Sequence, residues 1–293
     1  MKILYWANVN DTPRPTQDAE ILKALKEVAD VSFFDIKSFD IKELIEKANE
    51  SDLFLFHAQV PAVDDITSML MVERIETILK SVTCKKAMWF MDKVWLGKGM
   101  VIERLLPHIN YAFFSDETWV RRMNEDVLPL HPAAPIEQIK GAYNPKLACD
   151  IAMVGGMYGT RPKEYEFLKD AFGEGVKFFD NKFGTDLADV CASAKIMFIP
   201  QFPFDNFFWS ERMYSYLSMG GLVVQQRTYG LKEEGFLDGE HYFEYEKEQD
   251  LVALLNSLLD SEEIRKQVAK NGQEFVKKHT YTQRVQELLS KIK

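Results

Sequence analysis

Short, nearly unbroken apolar runs alternate with amphipathic stretches along the whole chain. In the first half the runs fall at residues 3–6, 31–35, 53–57, 87–91, 111–114 and 127–130. Helical periodicity fills the intervals at 16–28, 41–49, 63–80, 99–106 and 117–123. Strands without polar alternation are buried on both faces, and helix-length spacers between them are crossovers, so the pattern predicts a parallel sheet covered by helices on both sides. Thr16, Gln17 and Asp18 read as a cap and a negative charge at the start of the first helix.

At residues 131–150 the pattern breaks. This stretch, HPAAPIEQIKGAYNPKLACD, has several prolines and no periodic apolar face, and it reads as an interdomain linker. A second series follows, with strands at 151–154, 176–179, 196–199, 222–225 and 241–245. Its helices are expected at 162–172, 185–193, 210–219, 249–259, 261–278 and 280–292. The chain therefore reads as two Rossmann-like α/β domains in tandem, residues 1–135 and 150–279, with a tail helix at 280–293.

Composition narrows the function classes. A chain of 293 residues exceeds what one hydrophobic core comfortably fills, in keeping with two domains. With 36 Lys and Arg against 45 Asp and Glu the net charge is −9, which argues against a general nucleic-acid binder. Cys84, Cys149 and Cys191 are far apart and odd in number, so neither a disulfide framework nor a zinc site is expected. No apolar run approaches the roughly 20 residues of a membrane span, and the N-terminus lacks the pattern of a signal peptide. The expectation is a cytoplasmic protein without a membrane span.

Ligands of open α/β sheets bind beyond the carboxyl ends of the strands, so the residues there carry the candidate chemistry. In IAMVGGMYGTRPKE a buried strand runs into Gly155 and Gly156, and Arg161 and Pro162 stand at a helix start. Glycines admit a phosphate close to the backbone, a helix N-terminus supplies free N–H groups, and arginine pairs with phosphate oxygens in two-point fashion. In QFPFDNFFWSERMYSYLSMGG a helix capped by Ser210 carries Glu211 and Arg212 in its first turn. A cation there opposes the helix dipole unless an anion lies nearby; pairing with Asp205 or Glu211 is the other reading. In the first half His57 and Asp92 end apolar strands, Lys93 stands beside Asp92, and Asn8, Asn10 and Asp11 follow the first strand. His57, Asp92 and Asp11 are the candidates for a general base or for holding sugar hydroxyls. Protease, P-loop and zinc-enzyme signatures are absent from the sequence.

The order of segments DIAMVGGMYGTR, ASAKIMFIP, WSERMYSYLSMGGLVVQQRTYGLKEEGF, DGEHYFEY and SEEIRKQVAKNGQEFVKKHTYTQRVQELL resembles group 1 glycosyltransferases, most of all the branch similar to the spore-maturation protein CgeB. The resemblance spans about residues 150–289, and FMDK extends it weakly into the first half. It implies a GT-B fold, two doubly wound domains facing across a cleft, with the tail helix crossing back to the first. The nucleotide-sugar would lie on the second domain and the acceptor on the first. Within the family's Arg-x-aromatic-Glu pattern, Arg212 and Tyr214 match, whereas Ser215 stands at the glutamate that holds the ribose; Phe207 occupies the earlier acidic position of retaining relatives.

The implied activity is metal-independent transfer of a hexose from a UDP- or GDP-linked sugar to an acceptor hydroxyl, with no further cofactor. The acceptor is a glycan, a small molecule or a protein. Gly155, Gly156, Arg161, Glu211, Arg212 and Ser215 would bind the nucleotide-sugar, and negative charge developing on the diphosphate would fall to the arginines. A nucleotide-sugar epimerase or hydrolase on the same fold, or a noncatalytic nucleotide-sugar or glycan-binding module, are the alternatives.

Overall fold

The computed structural model describes residues 1–9, 17–38, 40–57, 66–94, 96–123, 127–135, 137–200 and 207–292. The chain separates into two units, Met1–Pro132 with Tyr281–Lys293, and Ala133–Thr280.

The first unit is built on β1 (Lys2–Ala7), β2 (Asp30–Asp35), β3 (Leu53–His57), β4 (Lys85–Phe90), β5 (Tyr111–Phe114) and β6 (Val127–Pro129). They lie in the order β2-β1-β3-β4-β5-β6, every pair parallel. Helices α1 (Gln17–Val28), α2 (Ile41–Asn49), α3 (Ile66–Ser81), α4 (Leu96–Leu105) and α5 (Glu117–Val120) join them. Alternate residues of a strand face opposite sides of a sheet. Leu4, Trp6, Phe54, Phe56, Met88 and Phe90 accordingly form one cluster with apolar residues of α2, α3 and α4. Trp6 stacks on Phe54 with ring centroids 5.9 Å apart. The intervening Ile3, Tyr5, Leu53, Leu55 and Trp89 are buried as well. Both faces are covered, which is why these strands read as continuous apolar runs.

The second unit contains β7 (Cys149–Val154), α6 (Arg161–Phe172), β8 (Val176–Phe179), α7 (Gly184–Ser193), β9 (Ala194–Ile199) and α8 (Arg212–Ser218). It continues with β10 (Val223–Gln226), α9 (Tyr229–Glu233), β11 (Phe243–Tyr245), α10 (Glu248–Asp260) and α11 (Glu262–Val276). The sheet order is β11-β10-β9-β7-β8, again all parallel. Ala152, Val154, Met197 and Ile199 pack with Leu187 of α7, Met213 of α8 and Leu231 of α9. Ile151, Met153, Ile196 and Phe198 pack with Leu168 of α6 and with Leu251 and Leu255 of α10. Helices α6 and α8 therefore cover opposite faces of one sheet.

Helix α12 (Tyr281–Lys291) belongs to the first unit. It lies along α1, where the Thr282 hydroxyl donates to Glu27 Oε2 at 2.7 Å, and the Tyr281 ring packs 6.2 Å from Trp89. No helix among the described residues is long and apolar enough to cross a membrane.

In and next to the second unit three features differ from the sequence reading, and in the first α4 begins at Leu96, three residues earlier than expected. The stretch expected as a linker packs on the second unit. Ala133 and Ala134 are buried, Ala142 N–H donates to Asp189 Oδ1 at 2.7 Å, and Asn144 N–H to the Ser193 hydroxyl at 2.9 Å. Its prolines prevent a helix, but its small side chains and backbone groups still find partners. The five-residue α9 lies in a segment with no periodic pattern long enough to reveal it. Helix α8 begins at Arg212, two residues later than expected, and β11 at Phe243 rather than 241.

Close packing of α11 on α8 generates a test. A Cβ on Gly272 would approach His241 O to 2.3 Å and Leu217 Cδ2 to 2.7 Å. Gly272→Ala is expected to destabilise the protein by about 1–3 kcal/mol through overpacking. Thermal unfolding followed by circular dichroism measures it, and an unchanged melting temperature would contradict this contact.

Candidate functional site

Both sheets reverse their strand order at one place, between β1 and β3 in the first unit and between β7 and β9 in the second. Such a switch point opens a crevice beyond the strand ends, because the helices leaving the two strands go to opposite faces.

In the second unit the chain leaves β7 through Gly155, whose φ of +133° is a conformation that only glycine adopts without strain. Two guanidinium groups close over this residue. A Cβ placed on Gly155 would meet Arg212 Nη2 at 2.8 Å and Arg161 Nη1 at 3.4 Å. Arg161 is the first residue of α6 and Arg212 the first of α8, so each cation stands at the positive end of a helix dipole. Arg161 Nη1 donates to Gly156 O at 2.8 Å, and Arg212 Nε donates to Val154 O at 3.2 Å. Arg212 Nη1 also donates to the Ser210 hydroxyl at 3.0 Å. Among the described residues neither arginine has a carboxylate within ion-pair distance; Asp205, one partner considered for Arg212, lies outside them. Burial, followed by the neighbouring Arg212 charge, lowers the Arg161 guanidinium from its ordinary value. Two like charges held together at two helix N-termini form a site poised for an anion.

The remaining nucleotide candidates lie on this same loop and helix. Gly156 supplies its carbonyl to Arg161. Glu211 takes the N-cap position of α8 without a side-chain cap bond, and Ser210 instead accepts from Arg212 N–H at 3.3 Å. Ser215 is half-buried in α8, and its hydroxyl makes no hydrogen bond among the described residues. Tyr216, fully buried one residue further on, directs its hydroxyl to Val154 O at 3.4 Å, and burial raises its pKa.

At the switch point of the first unit His57 ends β3. Its Nδ1 lies 2.5 Å from Asp18 Oδ1. The Tyr5 hydroxyl donates to the same oxygen at 2.8 Å, and Asn8 N–H donates to Asp18 Oδ2 at 2.9 Å. Burial, and then the Asp18 charge, raises the Tyr5 pKa, so the phenol stays protonated and remains a donor. A carboxylate can only accept, so Nδ1 carries the proton of this bond, and whenever the ring is neutral its lone pair is on Nε2. Asp18, read from sequence as a charge at a helix end, is 2 % exposed and serves as the hub of this network. Thr16, its expected capping neighbour, lies outside the described residues, as does Asp11.

Asp92 does not join the cluster. Its side chain is 71 % exposed and pairs with Lys98 at 3.2 Å. Lys93, its neighbour in sequence, pairs at 3.3 Å with Asp116, which is buried and caps α5. The lysine turns to the buried carboxylate because a charge held away from water needs a counter-charge, whereas Asp92 keeps water around it. Sequence reasoning missed Asp18 and Tyr5 as site residues. The one available signal was the phenol of Tyr5 in an otherwise apolar run.

No curated protein matches the sequence. Among solved structures, HepE (Alr3699) of Anabaena in complex with UDP and glucose superposes with a TM-score of 0.69 over 100% of both chains at 12% identity. Sucrose-phosphate synthase from Thermosynechococcus elongatus gives 0.67 over 100% of this chain and 99% of that one at 10% identity. The lipopolysaccharide outer core galactosyltransferase WaaB, in its apo form, gives 0.63 over 100% of both at 9% identity. At such identities the likeness is one of fold, and that fold is GT-B. In the sequence itself residues 137–290, more than half of the chain, match the family described as glycosyl transferase-like, and the chain belongs to that family.

Proposed function

We propose that the protein transfers a hexose from a nucleoside diphosphate-sugar to an acceptor hydroxyl without a metal ion, in the manner of the CgeB-like branch. The observation that carries this reading is the convergence of Arg161 and Arg212 over Gly155. As the glycosidic bond to the donor breaks, negative charge grows on the departing diphosphate. Two fixed guanidinium groups and two helix N-termini stabilise that charge where it develops. They take the place a divalent cation fills in metal-dependent transferases. UDP in the HepE structures favours a uridine donor. Ser215 meets the ribose with a single hydroxyl, a weaker partner than a two-oxygen carboxylate.

On the acceptor side we assign His57 as the base and Asp18 as the residue that positions it. Nε2 takes the proton of the acceptor hydroxyl as oxygen attacks the anomeric carbon, and Asp18 stabilises the imidazolium that results. Asp92, solvated and ion-paired to Lys98, is the poorer base. Direct displacement assisted by a base inverts the anomeric centre.

Titration calorimetry with UDP tests the carrying observation. Arg161→Ala and Arg212→Ala should each weaken UDP about 10- to 100-fold, the worth of a charged hydrogen bond; wild-type affinity in either variant removes that arginine from the site. Transfer from UDP-glucose should persist in EDTA, and loss restored by magnesium or manganese would overturn metal independence. If UDP binds but no UDP-sugar is turned over with any acceptor pool, the noncatalytic reading replaces this one.

His57→Ala should lower turnover about 10²- to 10⁴-fold with UDP affinity unchanged. Asp18→Asn should lower turnover and melting temperature together, since one of the two acceptor oxygens that Tyr5, Asn8 and His57 share becomes a donor. A product of retained anomeric configuration by proton NMR would exclude His57 as the base of a direct displacement.

A further inference from the structure

Tyr158 stands in the loop between β7 and α6, midway between the glycines and Arg161. Its ring is held by Arg161 and lies close to Gly156. The Arg161 guanidinium lies 4.2 Å from the ring centroid, a cation–π contact, and a Cβ on Gly156 would meet ring Cε1 at 2.8 Å. The backbone beneath is tied down as well, since Gly156 O accepts from both Tyr158 N–H at 3.2 Å and Arg161 Nη1 at 2.8 Å. Even so, Tyr158 is 58% exposed, and Met157 beside it is 41% exposed. A large ring fixed in place yet open to water, next to a paired cationic centre, suits a ligand that has both anionic groups and a flat π-surface. A sugar phosphate or pyrophosphate has only the first. A nucleoside diphosphate has both.

Resting on the diphosphate reading above, we propose that the open face of Tyr158 is the seat of the donor's nucleobase. The base stacks on a ring whose other side is held by the same arginine that binds the diphosphate, so one side chain fixes both ends of the nucleotide. Stacking is tolerant of base identity, because every base has a π-face. A cavity of about 240 Å³ lined by Glu164, Phe167, Phe198, Gln226, Tyr245, Glu248 and Leu251 is the competing place on this unit. Its two carboxylates face the same space, and they oppose the approach of a ligand that carries a diphosphate.

Calorimetry with two probes, UDP and inorganic pyrophosphate, separates the possibilities. Tyr158→Ala should weaken UDP roughly 5- to 150-fold, the worth of one stacked base, and change pyrophosphate affinity less than threefold. Tyr158→Phe should bind both as wild type does. Tyr158→Leu keeps the bulk without the π-face and should behave as Tyr158→Ala, which guards against a poorly folded alanine variant. If UDP and pyrophosphate weaken together, Tyr158 acts only by holding Arg161, and the proposal is overturned. It is equally overturned if Tyr158→Ala leaves UDP unchanged while Glu164→Gln alters it, because the base then lies in the cavity. A wild-type protein that binds neither probe overturns the diphosphate reading itself, and the seat falls with it.

Discussion

The reversal of strand order is the constraint on which the rest depends. In each unit the chain first lays down a central strand, adds a neighbour on one side, and then returns to extend the sheet on the other. Helices that leave the two strands flanking the reversal must cover opposite faces, as α6 and α8 do. A switch point of this kind leaves a crevice beyond the strand ends, and in the second unit the arginines that open α6 and α8 meet there over Gly155. The fold thus decides where a site can be. The residues at those few positions decide what it does.

The two units use the same geometry with opposite electrostatics. In the second unit arginines begin both helices, each placed against the dipole at a cost of about 0.3–1 kcal/mol. Their mutual repulsion adds to that cost while no anion is bound. In the first unit a carboxylate near the start of α1 lies with the dipole and is satisfied by a phenol, a backbone N–H and an imidazole. One centre gathers two positive charges without a carboxylate at ion-pair distance among the described residues; the other joins a carboxylate to a phenol, a backbone N–H and an imidazole. The transfer proposed above needs this division of character, a cationic centre for the leaving group and a basic one for the acceptor.

Much of this was legible in the chain. Burial on both faces leaves continuous apolar runs, and these placed most strands to within a residue or two. β3, β5 and β8 begin and end where the runs do. Arg161 and Arg212 stood out because glycine-bearing loops and helix starts are local patterns. Their convergence was not legible, since it joins residues about fifty positions apart through a sheet register that no local pattern records. Asp18 failed for a related reason: at a helix start a carboxylate has a sufficient local explanation, and only β1 and β3 lying side by side bring Tyr5 and His57 to it. The segment around Ala133 and Ala134 misled because prolines signal the absence of a helix, not the absence of packing.

Helix α12 has a consequence for how the molecule comes into being. The first unit is discontinuous: its residues up to Pro132 are synthesised early, but the helix lying along α1 and packing Tyr281 on Trp89 is made only after the whole of the second unit. The second unit, by contrast, is one unbroken stretch. On the ribosome the second unit can finish folding while the first, although begun earlier, still exposes the apolar side of α1. The unit that holds His57 is therefore the one whose completion waits until the other has been made, and a nascent chain arrested before Tyr281 would present the second unit folded and the first not yet closed.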